Sequence, residues 1–342
     1  MKKQWLLAVG ISMMLVFPAY AQETETVQAQ AETEAETAGM DEESLEKNLD
    51  ALGQETFRST RQFFKDGGVI SSGYKGDAGS GLQQMLVDFG CDIAIDGAVG
   101  AKTMEALHHV QESFGLPVTD EVNLAQFDTM LPLLLLTKGD VDTDVDLYDY
   151  FEEAGGSGYY DYLQGCALMA QGKYYSAKEA FENSSYGDSQ EKAEACVQEM
   201  PSNGEIWRNP DIPGSDSSLT FIVNSEDDTK GMCFQMYNSD NQLVSVLFIK
   251  GNGSAITYVP TGTYHIKDGV GYEWYGTTET FGPYGYYEYL TFSEDEDTMF
   301  DAYLDYGQYE LAINVSEIEE GATSVGASSV GWDESFGDTA EN

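Results

Sequence analysis

The sequence predicts a multidomain α+β protein with a small three-helix bundle, a short helical-repeat-like segment and a C-terminal antiparallel β-sandwich. Three observations carry that expectation. Apolar residues recur at helical spacing as far as Pro201; beyond it come short β-rich runs between Gly, Asn, Asp and Pro clusters; and 342 residues with 42% hydrophobic content can fill more than one core.

In chain order, Met1 to Ala21 has Lys2 and Lys3, an apolar run from Trp5 to Phe17, and Ala19-Tyr20-Ala21, the pattern of a secretory signal peptide. The run is too short and interrupted to span a membrane comfortably, so export is expected, with no span left after cleavage. Residues 22–56 are acidic, with Gln, Thr and Ala and few large apolar groups, and are expected to form a disordered linker. Residues 57–138 form the first expected domain, entered through Phe57, Phe63 and Phe64.

Within that domain, Leu82, Met85, Leu86 and Phe89 fall at i, i+3, i+4 and i+7, and Gly90 ends the stripe. Met104, Leu107, Val110 and Phe114 make a second stripe, stopped by Gly115 and Pro117. Leu124, Phe127, Leu131 and Leu134 make a third, with Asn123 placed as its N-cap. The tight connection Asp96-Gly97-Ala98-Val99-Gly100 asks for backbone that favours glycine.

The run Leu82-Gln83, Gly90, Asp96-Gly97, Gly100, Thr103, Ala106, Gln111, Gly115-Leu116 resembles the peptidoglycan-binding domain of the LQ…DGxxGxxT…Q…GL type, at about residues 76–136. That resemblance implies a wall-binding helical module, with the motif positions Gln83, Asp96, Gly97, Thr103 and Gln111 as candidate ligand-binding residues. Thr119 to Asn123 occupies the place of the family's second turn signature, with Asp120 where glycine is usual and Gln126 where threonine is often found. Val110 replaces the usual aromatic before Gln111.

Asp140, Asp142, Asp144 and Asp146 alternate as in a calcium loop, but Val145 and Phe151 stand where glycine and glutamate would be needed, so a solvated linker is expected. Within an expected helical segment of residues 139–200, the stretch Gly158 to Val197, through Gly165, Leu168, Gly172, Tyr174, Ala177 and Phe181, resembles a single tetratricopeptide repeat with the start of a second, which must pack on its neighbours because one repeat cannot bury its own face.

In residues 203–316, strands are expected at Leu219–Asn224, Met232–Asn238, Leu243–Ile249, Ala255–Val259, Thr263–Lys267 and Tyr309–Val315. The Val259-Pro260-Thr261-Gly262-Thr263-Tyr264 stretch is read as a hairpin similar to one in prealbumin-like and immunoglobulin-like modules. Tyrosine abundance makes Tyr272, Trp274, Tyr275 and Tyr286 candidates for stacking on sugar faces, against ordinary strand packing. Residues 317–342 are expected to be a disordered tail.

Of four cysteines, Cys166 and Cys196 sit on segments that a helical hairpin would make neighbours, and they are the expected disulfide. His108 and His109 point to different sides of one helix, and no HExxH or GxSxG is present, so no catalytic residue, metal or cofactor is expected. With 16 Lys and Arg against 60 Asp and Glu, net charge −44, the chain repels nucleic acid and anionic lipid surfaces. The reading is an exported, non-catalytic, cell-wall-associated protein that binds peptidoglycan. The alternative is an adhesion factor that recognises a protein or host glycan through its tyrosine-rich half.

Overall fold

The computed structural model describes residues 40–139, 146–214, 217–290 and 301–315. The expected signal peptide, most of the acidic linker, the aspartates of residues 140–145 and the tail 317–342 lie outside them. The described residues belong to the unit Met40–Asn342.

The chain enters its fold as helix α1 (Glu42–Leu52). Asp41 caps it by accepting from the Ser44 N–H at 2.8 Å, and Gly53, at φ 63°, closes it. This corrects the expectation of a disordered linker through residue 56. Leu45, Leu49 and Leu52 share one buried face, which gives this part of the acidic stretch enough apolar surface to order it. Its acids are met by the next helix, α2 (Glu55–Lys65). Arg61 of α2 is buried, 2.9 Å from Glu42 and 2.8 Å from Asp128. Phe57 and Phe64 turn inward beside it.

The bundle follows as α3 (Asp77–Asp88), α4 (Ala101–Ser113) and α5 (Leu124–Lys138), with short strands β1 (Ile70–Ser71) and β2 (Glu121–Val122) paired antiparallel. All three apolar stripes read from the sequence are buried, except for Leu124 at the start of the third, which is half-buried. Gly81 lets α2 and α3 approach, since a Cβ there would lie 1.9 Å from the Thr60 hydroxyl oxygen. Asn123 begins α5 with a capping box, its side chain accepting from the Gln126 N–H while Gln126 accepts from the Asn123 N–H.

Helices α6 (Leu147–Gly155), α7 (Tyr159–Ala170), α8 (Tyr174–Asn183) and α9 (Ser189–Ala195) continue the same core, with Leu163, Cys166, Ala167 and Phe181 in one cluster with the bundle's residues. At Gly165 a Cβ would stand 2.6 Å from the Phe181 ring, so only glycine allows this contact of α7 with α8. The expected Cys166–Cys196 disulfide is absent, both being buried free thiols. Burial pushes them up to about 11 and about 12, which leaves little thiolate for exchange.

After Pro201 come β3 (Gly204–Arg208), β4 (Ser217–Ser225), β5 (Gly231–Asn238), β6 (Leu243–Lys250), β7 (Gly253–Val259), β8 (Gly262–Gly271), the short helix α10 (Gly276–Glu279), β9 (Tyr286–Tyr289), β10 (Asp301–Leu304) and β11 (Gly307–Val315). One sheet has the order β10-β8-β5-β6-β3, with β9 also on β8, and the other the order β11-β4-β7. Side chains of both meet in one apolar cluster around Phe221, Phe234, Leu247 and Ile266.

Two expectations are corrected in this half. The sheets are not wholly antiparallel, because β11 runs parallel to β4, with Tyr309 opposite Leu219. The Val259–Tyr264 turn is not a hairpin, because β7 pairs with β4 whereas β8 pairs with β5. The chain changes sheets there, and the Tyr264 hydroxyl, donating to the Pro260 carbonyl at 2.7 Å, fixes the corner.

Helical and sheet halves are joined through α10. The buried Glu279 carboxylate accepts from the Tyr175 N–H at 2.6 Å and the Ser176 N–H at 3.2 Å, capping α8 from across the chain.

Candidate functional site

The motif glutamines act first on the backbone. Gln83, fully buried on α3, accepts from the N–H groups of Asp96 at 3.0 Å and Gly97 at 2.7 Å. Its amide donates to the Asp96 carboxylate at 3.0 Å, the Ala98 carbonyl at 3.2 Å and the Thr103 hydroxyl at 3.2 Å. One side chain thus satisfies a turn and ties it to the first turn of α4. Gly97 has φ 72°, and a Cβ there would lie 2.9 Å from the Gly76 carbonyl, so the position needs glycine on both counts. The Gln83 amide and then the Ala98 N–H hold the Asp96 carboxyl below the usual carboxylate range.

Gln111 repeats the device one helix later. Buried on α4, it accepts from the Thr119 N–H and donates to the Thr119 hydroxyl, both at 3.0 Å, and that hydroxyl donates to the Glu121 carbonyl at 2.8 Å. Two glutamines on successive helices therefore pin two successive turns.

Gln83, Asp96, Gly97 and Thr103 are brought together in one network, and Gln111 stands in the second. Of these five, Asp96 alone is exposed. The surface that the turns frame is the outer side of α4, where Ala101, Met104, Glu105, His108, His109 and Glu112 line an open groove of about 620 Å³. The Asp120 carboxylate on the second turn lies 3.2 Å from His108 Nε2. Sequence reasoning missed this surface. Apart from Met104, which belongs to the buried stripe on α4, its signal is the complement of that stripe, which marks the solvent side without marking a ligand.

The proposed sugar-stacking set is not a platform. Trp274 and Tyr275 are 4% and 1% exposed, which corrects their candidacy. Trp274 packs on Phe248 and Phe281, while Tyr275 meets Tyr175 edge-on at 5.2 Å. Tyr272 is exposed, with Lys230 over its ring and its hydroxyl donating to Asp227 at 3.0 Å. Tyr286 is half-buried and donates to Glu288 at 3.2 Å.

Among the described residues no group of three or more His, Cys, Asp or Glu is placed to hold a metal ion, and no helix is long and apolar enough to cross a membrane. Residues 76–130 match the family model described as "Putative peptidoglycan binding domain". Comparison with curated proteins gives no match. The matched span runs from the glycine before α3 into α5 and so contains both pinned turns and the α4 groove.

Proposed function

We propose that this chain is an exported, non-catalytic cell-envelope protein that binds peptidoglycan through its helical module, with the outer face of α4 as the contact surface. The observation that carries the reading is the family match over residues 76–130, together with the two glutamine-pinned turns that frame that face. The motif residues serve as architecture, and the exposed groove residues touch the ligand.

An open groove suits a polymer better than a small molecule. A wall presents many copies of each unit, so modest affinity is enough for retention through rebinding. No Lys or Arg lines the groove, and the net charge of −44 opposes any attraction to anionic wall polymers, so contact rather than charge holds the protein. Residues 139–200 act as a helical dock resembling a lone tetratricopeptide repeat, and the two sheets as a sandwich-like second module.

The test is co-sedimentation of the purified protein with insoluble peptidoglycan. Retention is expected, unchanged or strengthened by added salt, which screens repulsion. Absence of retention at every ionic strength, or release of soluble muropeptides, overturns the reading. The adhesion alternative is favoured by the exposed tyrosines 258, 272, 284, 303 and 306 of the second half. Under that alternative, retention is absent and a glycan or protein binds instead.

A further inference from the structure

Strand β8 carries an acid where its neighbours are apolar. Tyr264, Ile266 and Val270 join the cluster between the sheets, and Asp268, on the same face of the strand, is 1% exposed and stands opposite Phe234 of β5. Its Oδ1 has no hydrogen-bond partner, and no Lys or Arg among the described residues pairs with it. Such a group is rare in a folded core, because a buried carboxylate without a cation is costly.

Its cross-strand neighbour on β9 is a second acid, Glu288. Cys233 of β5 also stands close by, and Lys267 extends from the opposite face, over the rings of Tyr237 and Tyr289. Across the inter-sheet cluster, β4 and β11 offer Phe221, Val223, Leu311 and Ile313, with Tyr309 as a titratable side chain. Strand β9 is four residues long and pairs with β8 alone among the described strands. On its other face Tyr287 packs beside Cys233 and donates to the Gly282 carbonyl at 2.7 Å.

We propose that Asp268 and Glu288 form a proton-operated latch on β9, closed while Asp268 is protonated and loosened when it ionises, so that the tyrosines of β9 are freed and Cys233 is uncovered. A protonated Asp268 places no charge in the core and leaves a single carboxylate at the pair. An ionised one sets two carboxylates on adjacent strands, one of them without water, and letting β9 go is the local way to hydrate it.

Burial first, and then the Glu288 carboxylate, push the Asp268 carboxyl well above the usual carboxylate range. With the closed-state value raised, stability of the closed strand is complete below the ordinary aspartate range and declines as pH rises through the raised value. Opening therefore becomes more frequent as the medium turns from acid toward neutral.

Hydrogen exchange of the full chain, followed by mass spectrometry over residues 286–290 between pH 5 and 8 and corrected for intrinsic exchange, tests the latch. The opening constant of β9 should rise by up to about tenfold per pH unit until Asp268 is ionised, while amides of β4 stay level. In Asp268→Asn the rise should vanish. In Glu288→Gln, which folds without placing a new group in the core, it should end at lower pH and be smaller. A pH-independent β9 in the wild type, or the same rise in Asp268→Asn, overturns the proposal. If Asp268→Asn does not fold, an unchanged rise in Glu288→Gln overturns it equally.

Discussion

At the scale of single residues, Gln83 and Gln111 separate architecture from recognition. Replacing Gln83 by Ala leaves the Asp96 and Gly97 N–H groups and the Thr103 hydroxyl without their partner, and should cost about 3 kcal/mol in urea unfolding. Gln111→Ala should cost about 1–2 kcal/mol, since it frees only the Thr119 groups. Full stability with lost wall retention in Gln83→Ala would instead make that glutamine a ligand contact. Arg61→Ala removes the buried cation that meets Glu42 and Asp128, Glu42 keeping Lys65, and should cost about 1–3 kcal/mol by the same assay. Hydrogen bonds from Arg61 and Lys65 hold the Glu42 carboxyl down to about 2. Because that value lies below the ordinary glutamate range, its contribution is present at neutral pH and is lost as pH falls toward about 2. Glu42→Gln should therefore flatten the acid limb of a stability–pH curve, and an unchanged limb would deny the pair that role.

At the scale of elements, close approach explains what substitution should do. Gly165→Ala inserts a methyl against the Phe181 ring and should cost about 1–3 kcal/mol by the separation of α7 from α8, read as a lower thermal midpoint. A midpoint within error of wild type would mean that the ring can yield. The same elements mark how far the sequence could be read. Helices with strong apolar stripes, such as those through Leu82 and Leu107, were readable because one face repeats over several turns. Helix α1 was hidden by its acids, since what orders it is the face of α5, distant in the chain, together with Arg61 of the next helix. Strands β3, β9 and β10 were missed because each is short and flanked by Gly or acids. The Val259–Tyr264 corner looked like a hairpin because sequence shows that the chain turns but not which strand each side pairs with. At the site, motif residues could be read as a set, whereas the α4 groove could not, since exposure carries no periodic signal of its own.

At the scale of the whole molecule, the Glu279 cap and the Tyr175–Tyr275 contact bind the helical half to the sheets. Thermal unfolding should show one transition by both helical and strand signals, and Glu279→Ala should lower it by about 1–2 kcal/mol. Two separated transitions in the wild type would make the halves independent. The central claim remains that the outer face of α4 grips the wall. Its most direct measurement is the fraction co-sedimented with insoluble peptidoglycan for two sets of surface variants compared with the wild type, each first confirmed folded. Replacing Glu105, His109 and Glu112 together by Ala should reduce the bound fraction by about tenfold or more, whereas Tyr258→Ala with Tyr272→Ala should leave it unchanged. Unchanged binding in the groove variant, with loss in the tyrosine variant, would contradict the account and move recognition to the sheets.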